Sequence, residues 1–576
     1  MNHERNRPEV AVFPPLRSRA RHAGPRWDTY EPPKARVLAV ARTLTSATRL
    51  RDVTRLLRPE DGIEVSYTVN PGSAFDAGLP EYLDGLGVTV LSWREARRRR
   101  FHLVVACAVH RSMYRRDTPL VVLPHGAGYN RLVTESTGDT SSPAGLSARE
   151  LMRRGKVLPS CICVSHDEQI ARLAVSCPEA VPYAVTVGDP CFDRIRDSLP
   201  RRDIYRERLG VVGGRRLVVV HSTWSRHSLL GRCPDLPERL LAELPADEYA
   251  VALVLHPNVW ARHTTDGVLE RLARAMDAGL LVIPPQEGWR AAVVAGDWVI
   301  GDHGSTTFYS AALDRVTLLA ATGLDELDPA SPTAAFARRA PALDPGGPLL
   351  EQLLGAVDRH VPGELDDVFA LQLGARGEGA ERTRRKLYSY LEHRGVRLPP
   401  EAGPPDPVPD PRPVPHTVSA VHDVVGSRPA DGVVELRRWP VVPGRHEAGR
   451  GFYAAHDHGT DTRWRGYAEV LARTTVEPLL TPARWAAVRF TALPALNVAV
   501  AALGSRTALV ALRDGTLLEA SSARPWGGHH APLDPVLLGA AVNVLLAEGC
   551  SAKEIAEGVT VRTGTRDVRV EFTTPR

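Results

Sequence analysis

Ala295-Gly-Asp-Trp-Val-Ile-Gly-Asp302-His303-Gly304-Ser305-Thr306-Thr307-Phe-Tyr-Ser-Ala-Ala-Leu313 is the stretch on which the fold turns. Trp298 to Ile300 read as a short buried strand, Gly301 to Gly304 interrupt it, and Ser305, Thr306 and Thr307 open a helix that runs to Leu313. A strand that passes through a glycine turn into a hydroxyl-rich helix start offers an anion site. The first-turn N–H groups have no intrahelical partner, and the helix dipole favours negative charge beside them. The same residues also describe an ordinary N-capped turn between strand and helix. Other strands of the chain end in a comparable way, and that favours the ligand reading.

Working outward, Arg216 to Val220 ends in His221-Ser222-Thr223-Trp224-Ser225-Arg226, and Tyr249 to Leu255 ends in His256-Pro257-Asn258. Leu280 to Ile283 and Val316 to Ala320 are further strands of this series. An earlier series runs through 36–41, 63–69, 88–91, 101–106, 120–123, 157–164 and 185–188, with Leu123 leading into Pro124-His125-Gly126-Ala127-Gly128. Short, wholly apolar strands alternating with helices predict parallel sheets covered on both faces. Ser165-His166-Asp167-Glu168 predicts a capping box opening a helix at Gln169.

The expected fold class is therefore α/β: two doubly wound Rossmann-like halves, residues 35–195 and 196–395, followed by a smaller α+β domain. Residues 1–34 are rich in Arg, Pro and His, lack the apolar core of a signal peptide, and read as a disordered tail. Residues 396–430 read as a Pro-rich linker of polyproline II character, with nine prolines between Pro399 and Pro415. In 431–576, a hairpin around Arg513-Asp514-Gly515 and a helix from Pro535 to Glu548, capped by Asp534, define the α+β unit, whose role the sequence leaves open.

The 576 residues carry 72 basic and 67 acidic side chains, a net charge of +5. That mild excess does not call for nucleic acid, and it does not repel anionic substrates. There is no apolar run of membrane-spanning length. Seven scattered cysteines with no C-x-x-C pair fit a reduced, cytoplasmic setting. No Walker A motif and no G-x-G-x-x-G with a downstream acid occur, so P-loop and NAD chemistry have no support.

In doubly wound sheets ligands lie beyond the carboxyl ends of the strands. His125, His221, His256 and Asp302 stand at such ends. Histidine is the natural general base near neutral pH, and a base facing a phosphate cradle suits transfer from a nucleotide-activated donor. The expectation is a cleft between the halves, with His125 taking the proton of an acceptor hydroxyl. His256 and Ser305 to Thr307 would hold donor phosphates, and Arg226 would neutralise charge on the leaving group. His456-Asp457-His458 with Asp461, and Trp526-Gly-Gly-His529-His530, read as solvated loops, so neither metal nor cofactor is expected. The run Arg97 to Arg100 reads as a solvated helix face, with an anionic membrane surface or a phosphorylated acceptor as its candidate contact.

His125-Gly126, Thr223-Trp224 with Arg226, His256-Pro257-Asn258, and Asp302 with Ser305 and Thr306 occur in an order that resembles the CDP-glycerol glycerophosphotransferase family, the teichoic-acid polymerase relatives of GT-B fold. Gly188-Asp189-Pro190 with Asp193 falls where that family has a turn with an acidic residue. The resemblance spans roughly residues 100–320. It implies a metal-independent, inverting transferase of the cell envelope, moving a glycosyl or alditol-phosphate group from a nucleotide-activated, preferentially CDP-linked donor to a hydroxyl acceptor. It implies catalytic roles for His125, His256 and Asp302. It implies donor binding by Gly126, Thr223, Trp224, Arg226, Pro257, Gly304, Ser305, Thr306 and Thr307.

The departures are local. Ala127-Gly128-Tyr129-Asn130 stand where the family carries Thr and Lys, His221 replaces a small or apolar residue, and His303-Gly304 replace small or hydroxyl ones. The chain is similar too to bacterial sialyl- and polysialyltransferases and, over Asp302 to Thr307, to UDP-N-acetylglucosamine 2-epimerases. A reading of another class is a GT-B-derived scaffold or ligand-sensing module without turnover, which the altered loop after His125-Gly126 favours.

Overall fold

The computed structural model describes the chain except residues 1–30, 74–75, 114–116, 133–139, 401–405, 446–448, 460, 475–480, 523–532 and 576. The expected tail up to residue 30, and the segment Trp526 to His530, therefore lie outside the described residues. The chain forms two compact units. The first comprises residues 1–193 and 370–404, the second 194–369 and 405–576.

The first unit is built on a parallel sheet of seven strands: β1 (Ala35–Ala41), β2 (Ile63–Val69), β3 (Thr89–Leu91), β4 (Leu103–Ala106), β5 (Leu120–Val122), β6 (Cys161–Val164) and β7 (Ala184–Thr186). Their order is β3-β2-β1-β4-β5-β6-β7. All residues of β4 and β6 are buried, as a sheet covered on both faces requires. Helix α1 (Leu44–Thr54) follows β1 and opens with a reciprocal cap between Thr43 and Ser46.

Two expectations are corrected in this unit. Helix α2 (Asp167–Ser176) starts ahead of Gln169, because His166 and not Ser165 caps it. His166 Nδ1 accepts the Glu168 N–H at 3.0 Å, while Ser165 Oγ accepts Gln169 Nε2 at 2.7 Å. The helix Gly379–Ser389, which falls within the half expected at 196–395, belongs to the first unit. Leu387, Tyr388 and Leu391 pack in one core with Val37 and Ala39 of β1, so the boundary at residue 395 does not hold.

The second unit begins with a parallel five-stranded sheet: β8 (Arg216–Ser222), β9 (Tyr249–Leu255), β10 (Leu281–Ile283), β11 (Trp298–Gly301) and β12 (Val316–Leu319), in the order β10-β9-β8-β11-β12. Strand order reverses between β8 and β11, which makes that pair the switch point where such sheets bind ligands. Helices α3 (Pro257–His263) and α4 (Ser305–Ala312) follow β9 and β11.

The Pro-rich segment is not a free spacer. Val408 is buried, its carbonyl accepts the Tyr205 hydroxyl at 2.6 Å and its N–H reaches Ser198 Oγ at 3.0 Å. Further on, Val414 N–H donates to Val282 O at 2.8 Å, along the edge strand β10. Prolines cannot donate, but the few N–H groups between them are enough to pin an extended chain.

The C-terminal part is a closed barrel of nine strands and not an α+β layer, and it begins before residue 431. Its strands are β13 (His422–Ala430), β14 (Val433–Pro440), β15 (Phe452–His456), β16 (Val470–Arg473), β17 (Val498–Ala502), β18 (Thr507–Leu512), β19 (Leu517–Ser522), β20 (Val559–Thr563) and β21 (Arg566–Thr573). They run in the order β13-β14-β20-β21-β19-β18-β17-β16-β15, and β15 pairs back onto β13. Along β21, Val568, Val570 and Phe572 are buried while Arg569 and Glu571 are exposed, the alternation a barrel wall requires. Helix α5 (Pro535–Ala547) is apolar on every side but for Asn543, is buried from Pro535 to Leu545, and shares one core with the barrel strands. A helix without a polar face has to be enclosed, and the strands around α5 do this.

Candidate functional site

Asp302 lies just beyond β11, at the switch point, and is fully buried. Its Oδ2 accepts the Thr223 N–H at 2.7 Å, the Thr223 hydroxyl at 2.8 Å and the Leu229 N–H at 2.9 Å. Its Oδ1 accepts the Gly304 N–H at 3.0 Å. One carboxylate thus joins the loop after β8, the short helix Leu229–Arg232 and its own turn. The approach is so close that a Cβ on Gly304 would lie 2.5 Å from Thr223 Cγ2. Helix α4 starts immediately after Gly304 and has no side-chain cap. Its first-turn amides, with the half-buried Ser305 and Thr306, form a start suited to an anion. Thr307 differs from its neighbours: it is fully buried, so its hydroxyl does not line that start.

The loop after β8 is held in a strained shape. Ser225 has φ +98°, a conformation a residue with a side chain adopts only when its surroundings impose it. Ser225 Oγ donates to Glu326 Oε1 at 2.7 Å and accepts the His227 N–H at 3.1 Å, and Ser228 Oγ donates to the Ser225 carbonyl at 2.8 Å. The other Glu326 oxygen meets His303 Nε2 at 3.1 Å. This network sets Trp224 with its ring centroid 6.4 Å from that of His256, and leaves Arg226 exposed, its Nε 2.9 Å from His227 Nε2. Ser225, His303 and Glu326 were not among the residues chosen from the sequence. The one available signal for Glu326 was an acidic pair, Asp325-Glu326, after the left-handed Gly323 that follows β12.

His256 caps α3: its Nδ1 accepts the Asn258 N–H at 3.1 Å, and Pro257 takes the first helical position, where no N–H is needed. A neutral ring accepting at Nδ1 carries its proton on Nε2. The Nε2 edge of His256 is thus an N–H donor. His221 is corrected outright. It lies inside β8, fully buried, with Nε2 3.2 Å from Ser310 Oγ, and burial lowers its pKa to about 3. It is neutral and is not presented to a ligand.

In the first unit His125 follows β5 as a partly exposed residue, with Nδ1 3.4 Å from the Cys107 carbonyl. Burial lowers its pKa, the Cys107 carbonyl opposes this, and Arg49 and Arg131 add to the lowering. A ring kept neutral is a competent proton acceptor. The Gly126 carbonyl accepts Arg49 at 3.1 Å, and Arg49 also pairs with Asp189 at 2.9 Å, both side chains buried. Asp189 in turn accepts the N–H groups of Cys191 and Phe192, and Asp193 accepts those of Gly377 and Gly379. The Gly188-Asp189-Pro190 turn therefore supports the His125 loop through Arg49, a residue the sequence reading passed over.

The remaining candidates separate by their partners. Asp457 accepts Trp485 Nε1 at 2.8 Å and Arg489 at 3.0 Å, and Asp461 caps the turn at Trp464. Among the described residues no three His, Cys, Asp or Glu side chains come together as a metal set. None of the seven cysteines forms a disulfide. Among the described residues no helix is long and apolar enough to cross a membrane.

No family model and no curated protein matches the sequence. Among solved structures the chain is similar to the wall teichoic acid polymerase TagF, in a histidine variant soaked with CDPG, at 11% identity and a TM-score of 0.45, covering 63% of this chain and 90% of that one. It is similar to the UDP complex of MnaA from S. aureus at 10% identity and a TM-score of 0.39, over 62% of this chain and 97% of that one. A third is the UDP-GlcNAc 2-epimerase of Neisseria meningitidis bound to UDP-GlcNAc, at 12% identity and a TM-score of 0.41, over 62% of this chain and all of that one, 100%.

Proposed function

We propose that the chain is a transferase that takes a glycosyl or alditol-phosphate group from a nucleotide-activated donor, CDP-linked by preference, and passes it to a hydroxyl acceptor. The observation that carries the reading is Asp302 joining two strand-end loops across the switch point of the second sheet, directly ahead of a helix without a side-chain cap. In this reading the diphosphate meets the first turn of α4, with Gly304, Ser305 and Thr306 against its oxygens. The Nε2–H of His256 donates to the same group, beside Pro257, and Arg226 neutralises charge as the nucleotide leaves. Trp224 and Thr223 shape the wall. Asp302 acts by positioning. His125, kept neutral, is the proposed general base for the acceptor hydroxyl.

The test is a thermal-shift screen of the full chain against CDP, CMP, UDP and GDP, with Ser305→Ala/Thr306→Ala beside it. A ligand at about 100 times its Kd adds about 2.7 kcal/mol to stability. A shift selective for cytidine nucleotides and lost in the double variant is the expected result. A uridine-selective shift would move the reaction towards the epimerases. No shift with any nucleotide would overturn the proposal, and binding without turnover of any donor would leave the sensing module.

A further inference from the structure

A cavity of about 350 Å³ lies in the first unit, between the last turns of α1 and the face of β2. Its floor is apolar. Ile63, Val65 and Tyr67 alternate along β2 and so share one face, and Leu57 and Val88 extend it. Its wall is cationic. Arg51 and Thr54 stand in the last turn of α1, Arg55 follows it directly, and among the described residues no acidic side chain lines the space. The Nε of Arg51 is buried and meets no acceptor among the described residues. Arg58, one turn further on, pairs with Asp61 at 3.1 Å. At the inner end the Tyr67 hydroxyl meets Thr54 Oγ1 at 2.5 Å. Burial raises the Tyr67 pKa, while hydrogen bonds from Thr54 and Arg51 and the charges of Arg51 and Arg55 lower it, so both guanidinium groups act on the same corner.

The cavity is separate from the candidate site. Ile63 pairs with Ala35, the first residue of β1, and Thr89, the first of β3, pairs with Ser66. It therefore sits over the amino-terminal half of the sheet, away from the carboxyl ends where doubly wound sheets bind substrates.

We propose that this cavity binds a small amphipathic anion, an apolar body with a single carboxylate or phosphate head. The body replaces water over Ile63, Val65 and Val88, and the head meets Arg51 and Arg55 beside the Tyr67 and Thr54 hydroxyls. The volume is at the small end of the range for ligand pockets, which suits one short chain or ring system. A neutral apolar ligand would leave the Arg51 donor unmet, and a polar anion would leave the floor wet.

Calorimetry on the full chain tests this with decanoate, decyl phosphate and decanol. Both anions are expected to bind at least tenfold more tightly than decanol, and the tighter of the two identifies the head. In Arg51→Gln/Arg55→Gln that preference should collapse while decanol still binds. In Val65→Trp, which fills the floor and keeps both charges, all three should be lost. Thr89→Phe fills the cavity from the opposite wall and serves if Val65→Trp does not fold, as judged by circular dichroism. Equal affinity for decanol and decanoate, anion binding that survives cavity filling, or no binding below millimolar concentrations would each overturn the proposal.

Discussion

Replacing Asp302 is the most direct probe of how the second unit builds its candidate site. Asp302→Ala removes the acceptor of three backbone N–H groups, those of Thr223, Leu229 and Gly304, and of the Thr223 hydroxyl, at a residue with no exposure. Each buried donor left unmet costs about 1–3 kcal/mol, and entry of water into the space offsets part of this, so the loss should be about 3–5 kcal/mol. Asp302→Asn keeps an oxygen where three donors converge and turns an amide N–H towards Gly304 N–H, so it should cost about 1–2 kcal/mol. Hydrogen exchange read by mass spectrometry reports this where it acts. At about 1.4 kcal/mol per tenfold, Asp302→Ala should speed exchange across residues 222–230 and 302–306 by about a hundredfold or more, and Asp302→Asn by about tenfold. Exchange within about threefold of the parent in Asp302→Ala, or equal in the two variants, would refute the reasoning.

The other expected outcomes are more local. Gly304→Ala, forcing a Cβ to 2.5 Å from Thr223 Cγ2, should cost about 1–3 kcal/mol in urea unfolding, and adding Thr223→Ser, which removes that methyl, should recover most of it. His256→Asn keeps a capping oxygen but loses the Nε2–H, so stability should change by less than about 1 kcal/mol while nucleotide affinity, measured by calorimetry, falls about tenfold. His221 stays neutral in the fold, with a pKa of about 3, but takes a proton readily when unfolded. A lowered folded pKa means its stabilising contribution is complete above the unfolded value near 6.5 and is lost as pH falls towards 3. That loss is several kcal/mol at about 1.36 per unit, and His221→Gln should flatten the acid limb of the unfolding curve. Asp534 shows the carboxylate case. Burial raises its pKa, but Arg438 and His456 outweigh this and bring it to about 2, so the barrel should weaken between about pH 4 and 2, and Asp534→Asn should remove that dependence.

The two parallel sheets were legible because strands buried on both faces are continuous apolar runs, as in Leu103 to Ala106 or Tyr249 to Leu255. The helix start after Asp302 was legible from its glycines and hydroxyls. The barrel was not, although β21 alternates along its whole length, because closure is a long-range property. β14 pairs with β20 across more than a hundred intervening residues, and no local pattern records that. The Ser165 cap was misplaced because histidine also accepts an amide proton at Nδ1, and both His166 and His256 do so. Arg49 and Glu326 were missed for a related reason. A charged residue on a helix or in a turn looks solvated until its partner, Asp189 or the pair Ser225 and His303, is brought to it by the fold.

The docked Pro-rich segment has a consequence for the solubility of the chain. β10 is an outermost strand, and an outermost parallel strand with free amides invites another molecule to continue the sheet. Here the place beside it is taken by the run Pro411-Arg412-Pro413-Val414-Pro415, joined through Val414. The prolines of that run have no N–H to offer a newcomer, so the sheet ends in a strip that cannot be extended. A segment expected to act as a spacer thus serves as a selvage, and cutting it loose should convert a monomer problem into an aggregation problem.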